Sequence, residues 1–469
     1  GFKFYGKRIA TAFFRPAHGL NPDLETKYAA NRLVITRQVK FNPDGEDSVD
    51  MMVSLNGLPI ATLELKNSLT GQTVQHALKQ YQYDRDPKLP LFWFKKRALV
   101  HFAVDTDLVY MTTKLARKGT YFLPFNRGTE DGGAGNPTVE GEPYKTSYLW
   151  REVLERHSLL DILARFIHLE QKEEVVLGKT RRKEALIFPR YHQLDVVRKL
   201  EAAARDEGPG HHYLVQHSAG SGKSNSIAWA AHRLASLHDA NDEKLFDSVV
   251  VVTDRRVLDR QLQDTIYQFE HKQGVVEKID KHSTQLAKAL ERGTKIIITT
   301  LQKFPFVTEK IENLPDRRYA IIVDEAHRVS PNGTAYKKLI NAFDEDGKPN
   351  AQFIGLTASP ERRTGDQRDQ LNLVFDAIID CANIECLIEE GVLVQPVYRP
   401  HFVHDLNLGD IDISSGDFPV AKLAPAIIKS SMIDYALWSY KEEREKLTIP
   451  PISAWFCADV SVAEKTLEK

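Results

Sequence analysis

Cysteine is scarce in this chain: three residues (Cys381, Cys386 and Cys457) among 469, none of them in a Cys-x-x-Cys pair. That usage excludes a disulfide framework and suits a reducing interior. Long hydrophobic runs are lacking too. No apolar stretch approaches the ~18 residues that a membrane span needs, and no basic segment followed by an apolar core opens the sequence as a secretory signal would. A cytoplasmic protein without a membrane partner is the expectation. An excess of one charge is also missing, since 63 Lys plus Arg face 64 Asp plus Glu. No global field therefore draws the protein to a polyanion, and any contact with nucleic acid must come from local patches. The remainder, 42% hydrophobic and 27% charged, is ordinary for a globular protein. At 469 residues the chain exceeds what one core holds, and about three domains are expected. It begins with Gly1 rather than Met and ends at Lys469 inside a charged, helix-like stretch, so it is expected to be part of a longer chain.

The stretch Val215-Gln-His-Ser-Ala-Gly-Ser-Gly-Lys-Ser224 carries the first chemistry. An apolar run, Tyr213-Leu-Val215, feeds a small glycine-bearing loop, and a helical pattern from Gly222 to Leu237 follows. Gly220, Ser221 and Gly222 let backbone N–H groups wrap phosphate oxygens at the positive end of a helix. Lys223 would reach the β- and γ-phosphates of ATP, and the Ser224 hydroxyl would ligate Mg²⁺. His217 stands where the full GxxxxGK[ST] pattern has its first glycine. Downstream, Tyr319-Ala-Ile-Ile-Val-Asp-Glu-Ala-His327 is an apolar strand ending in carboxylates. Asp324 would face the Mg²⁺ held by Ser224, and Glu325 would polarise the attacking water. His327 would relay nucleotide state to Thr357-Ala-Ser359, after the strand Gln352–Leu356. Gln193, on a helix beginning near Phe188, is placed to read adenine with its amide.

The second chemistry lies near the amino terminus. Asn21-Pro22-Asp23 caps a short helix, Leu24 to Arg32. Alternating strands follow at Arg32–Phe41, Val49–Leu55 and Leu58–Lys66, with a hairpin signal at Asn56-Gly57 between the last two. A helix is expected from Gly71 to Asp84, and strands at Ala98–Val104 and Leu108–Thr113. Glu64 and Lys66 share one strand face. With Asp50 they could hold Mg²⁺ against a scissile phosphate and assist the attacking water. An ideal two-residue turn, however, would pair Leu55 with Leu58 and set Asp50 opposite Leu63, on the wrong face. The reading therefore requires a bulge or longer loop between residues 50 and 64.

Asn126–Pro143, rich in Gly and Pro, reads as a long loop, and Ser147–Gln171 has helical apolar spacing. Arg181-Arg182-Lys183 reads as a solvated turn. From Phe188 to about Val394 strands alternate with helices, the pattern of a parallel α/β domain. Two of its strands end in Thr253-Asp254-Arg255-Arg256 and, after Thr300, in Gln302 and Lys303, which could hold a DNA backbone. Beyond Gln395 come Pro396–Phe402, a helix near Ala424–Lys446 and a strand at Ile452–Ala458.

The block Asp50…Glu64-x-Lys66 resembles the PD-(D/E)xK nucleases. Asn31–Phe41 and Asn56–Asn67 look like the amino-terminal nuclease domain of type I restriction-enzyme motor subunits. That resemblance implies that Asp50 and Glu64 ligate Mg²⁺ and that Lys66 assists hydrolysis. The family's Gln-x-x-x-Tyr motif has no match in spacing; Gln75, Gln80 and Tyr81 are candidates, and Glu25 is a further carboxylate or a surface residue. The GxGKS loop with Asp-Glu-Ala-His and Thr-Ala-Ser resembles a superfamily-2 helicase motor of the DEAD/DEAH-like kind, in the order of type I restriction motor subunits. The resemblance implies an α/β chain in four parts. These are a mixed-sheet nuclease domain (1–146), a helical connector (147–180), a first RecA-like motor domain (181–394) and the start of a second, incomplete one (395–469). The second domain's arginine-bearing motif does not occur before Lys469, so poor ATP hydrolysis is expected of this stretch alone; Arg362, Arg363 and Arg399 do not match it. The implied activity is ATP-driven translocation of double-stranded DNA with Mg²⁺-dependent cleavage, in a complex with modification and specificity subunits. A stand-alone helicase–nuclease, and an ATP-switched DNA-binding scaffold with an inactive nuclease fold, remain open at this point.

Overall fold

The computed structural model describes residues 2–4, 7–16, 21–176, 179–218, 220–253, 256–268, 275–279, 283–300, 317–326, 344–345, 348–349, 351–358, 374–395, 403–409, 420–446, 457 and 459–468. The chain divides into two units, residues 1–362 with 369–394, and residues 363–368 with 395–469.

In the first unit a short hairpin, β1 (Phe2–Phe4) and β2 (Lys7–Ile9), precedes helix α1 (Pro22–Ala29). The helix starts at its sequence signal: Asn21 Oδ1 accepts the Leu24 N–H at 3.2 Å, and Pro22 fills a position where no N–H is needed. Strands β3 (Leu33–Lys40), β4 (Ser48–Leu55), β5 (Leu58–Leu65), β6 (Val100–Val104), β7 (Val109–Thr112) and β8 (Leu123–Pro124) form a six-stranded sheet in that order. Only β5 and β6 pair in parallel. Helix α2 (Val74–Lys79) lies in their crossover and packs Val74 and Ala77 with Phe41, Tyr81 and Phe92. The helix expected from Gly71 to Asp84 is thus shorter than its pattern, and Gln80–Asp84 widens into a π-turn.

Residues 147–180 do not form the expected helical connector. A π-turn (Leu149–Val153) and helix α3 (Arg156–Arg165) take its first part, and then β9 (His168–Val176) and β10 (Lys179–Ile187) form an antiparallel hairpin. Apolar spacing of helical period stops at Ile167. The following residues are mostly polar or charged, and the strand register sets Arg182 opposite Glu173 and Lys183 opposite Lys172. Arg181–Lys183 accordingly lie within β10 and not in a turn.

Helix α4 (Tyr191–Glu207) leads into a seven-stranded parallel sheet. In chain order its parts are β11 (Tyr213–His217), α5 (Lys223–Leu234), β12 (Ser248–Thr253), α6 (Arg256–Gln268), β13 (Val276–Lys278), α7 (Ser283–Glu291), β14 (Ile296–Thr300) and β15 (Tyr319–Asp324). After a two-residue hairpin, β16 (Asp344–Glu345) and β17 (Lys348–Pro349), come β18 (Ala351–Thr357) and β19 (Ala377–Ala382). The spatial order is β13-β14-β12-β15-β18-β11-β19, every neighbour parallel. Strands β12, β14 and β18 are buried along their whole length, which is why they read as unbroken apolar runs. Only β18 separates β11 from β15, so the two motif-bearing strand ends open on the same edge.

The two sheets share one apolar core. Phe102 stacks edge-on against Phe125 and Phe188 with ring centres 5.6 and 5.8 Å apart, and Phe125 meets Tyr191 at 6.0 Å. Such pairs add about 1 kcal/mol each to simple burial. Trp229 of α5, fully buried, donates its Nε1–H to Phe166 O at 2.9 Å.

In the second unit the helix expected near Ala424–Lys446 is two helices, Val420–Lys429 and Met432–Glu445, broken at Ser430-Ser431 where Asp405 accepts from Ser431 N at 2.7 Å. With Val460–Glu468 they bury Ala424, Ile427, Ile433 and Val462. Residues 396–402 lie outside the described residues, as do all but Cys457 of the strand expected at Ile452–Ala458.

Candidate functional sites

The β4–β5 hairpin turns at Asn56-Gly57, with Leu55 opposite Leu58 and Ser54 opposite Pro59. Beyond that the register shifts: Val53 faces Ala61, Met52 faces Thr62 and Met51 faces Leu63. Ile60 is the extra residue of a β-bulge, and its carbonyl accepts the Leu99 N–H at 2.7 Å. Pro59 explains the position, since it has no N–H to give to the ladder and prolines in sheets collect at bulges and edges. Continuing the shifted register sets Asp50 opposite Glu64. The bulge thus moves Asp50 from the Leu63 row to the Glu64 row.

Each group there is held. Asp50 Oδ2 accepts the Leu65 N–H at 2.8 Å and lies 3.8 Å from Lys66 Nζ. Asp50 Oδ1 accepts from Gln38 Nε2 at 3.2 Å, and Gln38 Oε1 accepts from Ser48 Oγ at 2.9 Å. Gln38 has φ +49° in mid-strand, a conformation with a cost that structures retain where a side chain must be aimed. Glu64 is fully buried, and Arg85 Nε–H reaches its Oε1 at 2.7 Å. Arg85 is itself buried, donates from Nη2 to Ser48 O at 3.0 Å and lies 5.1 Å from the Phe41 ring centre. Burial pushes the Glu64 carboxyl up to about 7, against the pull of Arg85. Its other oxygen, Oε2, is buried without a hydrogen-bond partner. A buried carboxylate oxygen left open beside a second carboxylate and a lysine fits a divalent cation. Asp50 and Glu64 are the carboxylates at hand; no cluster of three or more His, Cys, Asp or Glu of metal-binding geometry occurs among the described residues.

Sequence reasoning missed Arg85 and Gln38. Neither belongs to a spaced motif, and only the fold brings them to the hairpin. Of the helix candidates, Gln75 is exposed, whereas Tyr81 is fully buried and its hydroxyl meets Thr62 Oγ1 at 2.9 Å. Gln80 Oε1 is buried without a partner. Glu25 is half-buried on α1, lining a separate cavity with Arg15, Arg165 and Arg205.

At the second site β11 ends in a loop whose glycines have φ +79° (Gly220) and +85° (Gly222). A Cβ would collide with Leu393 at Gly220 and with Gln193 Nε2 at Gly222. Helix α5 begins at Lys223, with Ser224 half-buried in its first turn. His217 replaces the usual glycine by serving as a brace. It is fully buried between Ser221 Oγ and Ser226 Oγ, the latter at 2.8 Å from Nε2. Ser221 Oγ–H is given to Ser218 O, so His217 Nδ1 is the donor to Ser221 and Nε2 the acceptor from Ser226. Burial holds this imidazole well below its usual range, hence neutral.

Gln193 is buried under the loop. Its Nε2 donates to Ser221 O and Gly222 O at 3.2 and 3.0 Å, and its Oε1 accepts the Arg190 N–H at 2.9 Å. Both of its N–H donors and one acceptor position are used on loop and helix backbone, in place of the expected open amide. Across the edge, Lys223 Nζ bridges Asp324 Oδ1 at 2.9 Å and Glu325 Oε1. Glu325 takes φ +53° directly after the strand, with its N–H on Asp324 Oδ1 at 3.0 Å. The arrangement gathers a glycine loop, a helix N-terminus, a lysine and two carboxylates, the set that phosphates and a divalent cation require. Thr357 is fully buried at the end of β18. His327, Ser359, Asp254, Arg255, Gln302 and Lys303 lie outside the described residues. No helix among the described residues is long and apolar enough to cross a membrane.

Comparison with known proteins agrees with this layout. Residues 23–120 match the model of the type I restriction enzyme R protein N terminus, and residues 192–415 match that of the SWI2/SNF2 ATPase. The type I restriction enzyme HindI endonuclease subunit of Haemophilus influenzae is 27% identical over 398 residues, covering 81% of this chain and 36% of that protein. The SsaAORF53P endonuclease subunit of Staphylococcus saprophyticus is 22% identical over 404 residues, covering 84% of this chain and 39% of that one. The chain thus spans little more than a third of the length of these relatives. With residues 23–120 like an R-protein amino-terminal domain and residues 192–415 like a SWI2/SNF2 ATPase, the chain is similar over most of its length to type I restriction enzyme endonuclease subunits.

Proposed function

We propose that the protein is an ATP-driven translocase of double-stranded DNA and a Mg²⁺-dependent endonuclease, acting with modification and specificity subunits. The observation that carries the nuclease part is the bulge at Ile60, which brings Asp50 to the Glu64 row and leaves Glu64 Oε2 open. Asp50 and Glu64 would hold Mg²⁺, which when bound supplies charge neutralisation at the scissile phosphate. Lys66 orients the attacking water, Gln38 and the Leu65 N–H fix Asp50, and Arg85 fixes Glu64.

In the motor, Gly220, Ser221, Gly222 and Lys223 bind the phosphates of ATP, while Ser224 and Asp324 would hold its Mg²⁺. Lys223 leaves the two carboxylates when phosphate arrives, freeing Glu325 to orient water. His327, three residues after Asp324 in sequence, would relay nucleotide state. Reading of adenine by Gln193 requires its amide to release the loop carbonyls, which would tie base recognition to loop conformation. Residues 1–146 form the nuclease part and the parallel sheet up to Val394 the first motor domain; the residues beyond begin the second.

The test is cleavage of circular DNA bearing a recognition site by the full-length protein, with and without modification and specificity subunits. ATP-dependent cutting only in the complex is expected. ATP-dependent cutting without the partners would instead make this a stand-alone helicase–nuclease.

A further inference from the structure

The chain is almost neutral, yet one face of the amino-terminal domain is not. Two segments, Trp93–Arg97 and Lys114–Lys118, together with Tyr83 of the π-turn, present cations on aromatic rings. Lys96 Nζ and Arg97 Cζ lie 5.8 and 6.0 Å from the Trp93 ring centre. Lys114 Nζ is 5.2 Å from that of Phe94, and Lys118 Nζ 5.7 Å from that of Tyr83. All four cations are exposed. None has an acidic partner among the described residues, whereas their neighbours Lys95 and Arg117 are paired with Glu184 and Asp86.

The pattern has a physical reading. A long cationic side chain resting on a ring has already lost part of its rotamer freedom, so it loses less on meeting an anion. Because no carboxylate neutralises these four, the anion must come from outside. Each of the three rings carries at least one of these cations, so the rings order charges for phosphates. The place is also telling. Tyr83 is in the turn that delivers Arg85 to Glu64, and the Arg117–Asp86 pair at 2.7 Å ties the second segment to that turn.

We propose that Lys96, Arg97, Lys114 and Lys118, ordered over Trp93, Phe94 and Tyr83, form a phosphate-binding surface through which the amino-terminal domain seats duplex DNA without reading its sequence. The assignment rests on the nuclease reading of Asp50 and Glu64 given above.

The experiment is fluorescence anisotropy of a labelled duplex of mixed sequence with the full-length protein over a range of salt concentrations. The variants are Lys96→Gln/Arg97→Gln, Lys114→Gln/Lys118→Gln and the fourfold change. Removing each cation should lower the salt slope by about 0.9, and the fourfold variant should bind about tenfold or more weakly at moderate salt. Thermal stability and ATP binding should stay unchanged, which separates the effect from misfolding. Wild-type affinity and slope in the fourfold variant would overturn this surface while leaving the nuclease reading intact. Wild-type protein that binds no duplex would likewise overturn this surface. Tighter binding of single strands, lost on Trp93→Ala or Tyr83→Ala, would replace phosphate seating by base stacking and so contradict the proposal.

Discussion

Arg85 donates its Nε–H to Glu64 Oε1 at 2.7 Å, both side chains being buried beneath the β4–β5 hairpin. This pair is the hinge between fold and chemistry in the amino-terminal domain. Glu64 sits where a carboxylate is costly, and Arg85 compensates one oxygen while the other stays open. Replacing Arg85 with Ala should therefore destabilise the protein by about 3–5 kcal/mol, because it strands a buried charge. The double change Arg85→Ala/Glu64→Leu should recover much of that loss. Urea unfolding of wild type, the two single variants and the double variant measures it, and additive losses in the double variant would deny the pairing.

Pro59→Val gives the ladder back an N–H beside the bulge and should favour a regular two-residue hairpin in which Ile60 pairs with Val53. Asp50 then falls opposite Leu63 and turns from Glu64. Cleavage should drop by about 100-fold or more, the penalty of a misplaced reacting group, while DNA-stimulated ATPase of the full-length protein persists. Parallel cleavage and ATPase assays decide the matter; a Pro59→Val protein that cuts normally would show that Pro59 does not set the register of Asp50.

Mg²⁺ affinity at the Asp50–Glu64 site should depend on pH. Burial raises the Glu64 carboxyl from 4.5 to about 7, and a cation requires the ionised form. Binding should weaken as pH falls below about 7, with proton uptake by the metal-free protein. Stability of the metal-free fold moves oppositely: the raised group favours folding below pH 4.5 and loses that contribution as pH rises through about 7. Calorimetric titration of Mg²⁺ at several pH values measures the first effect, and Asp50→Ala or Glu64→Gln should abolish the dependence.

His217→Gly restores the glycine of the common phosphate-loop pattern and should nevertheless weaken it. The imidazole braces Ser221 and Ser226, and its removal leaves both hydroxyls short of a partner around a void. A loss of about 2–4 kcal/mol is expected, with weaker ATP binding. Thermal unfolding and nucleotide titration check both; tighter ATP binding would mean that His217 obstructs the loop.

Much of the layout is legible in the sequence because it follows from local rules. The buried strands Ser248–Thr253 and Ile296–Thr300 appear as apolar runs, and Asn56-Gly57 marks its hairpin. The need for a bulge is legible as well, from the faces that Asp50 and Glu64 must share. Its place is not, although Pro59 signals it in retrospect. Other features depend on partners distant in sequence. Arg85 and Gln38 reach the site only through sheet order and an unusual backbone angle. The hairpin His168–Ile187 is not legible, because residues 170–174 and 179–184 are polar or charged and show no apolar alternation. Gln193 exposes no sign in sequence that its amide is spent on Ser221 and Gly222.

The central claim is that one chain holds two separable sites, a nuclease around Asp50 and a motor around Lys223. Cleavage and ATP hydrolysis by the full-length protein in its complex, compared for wild type, Asp50→Ala and Lys223→Ala, test it most directly. Asp50→Ala should keep DNA-dependent ATPase and lose cleavage, and Lys223→Ala should lose both. Cleavage by Asp50→Ala at the wild-type rate would contradict the account.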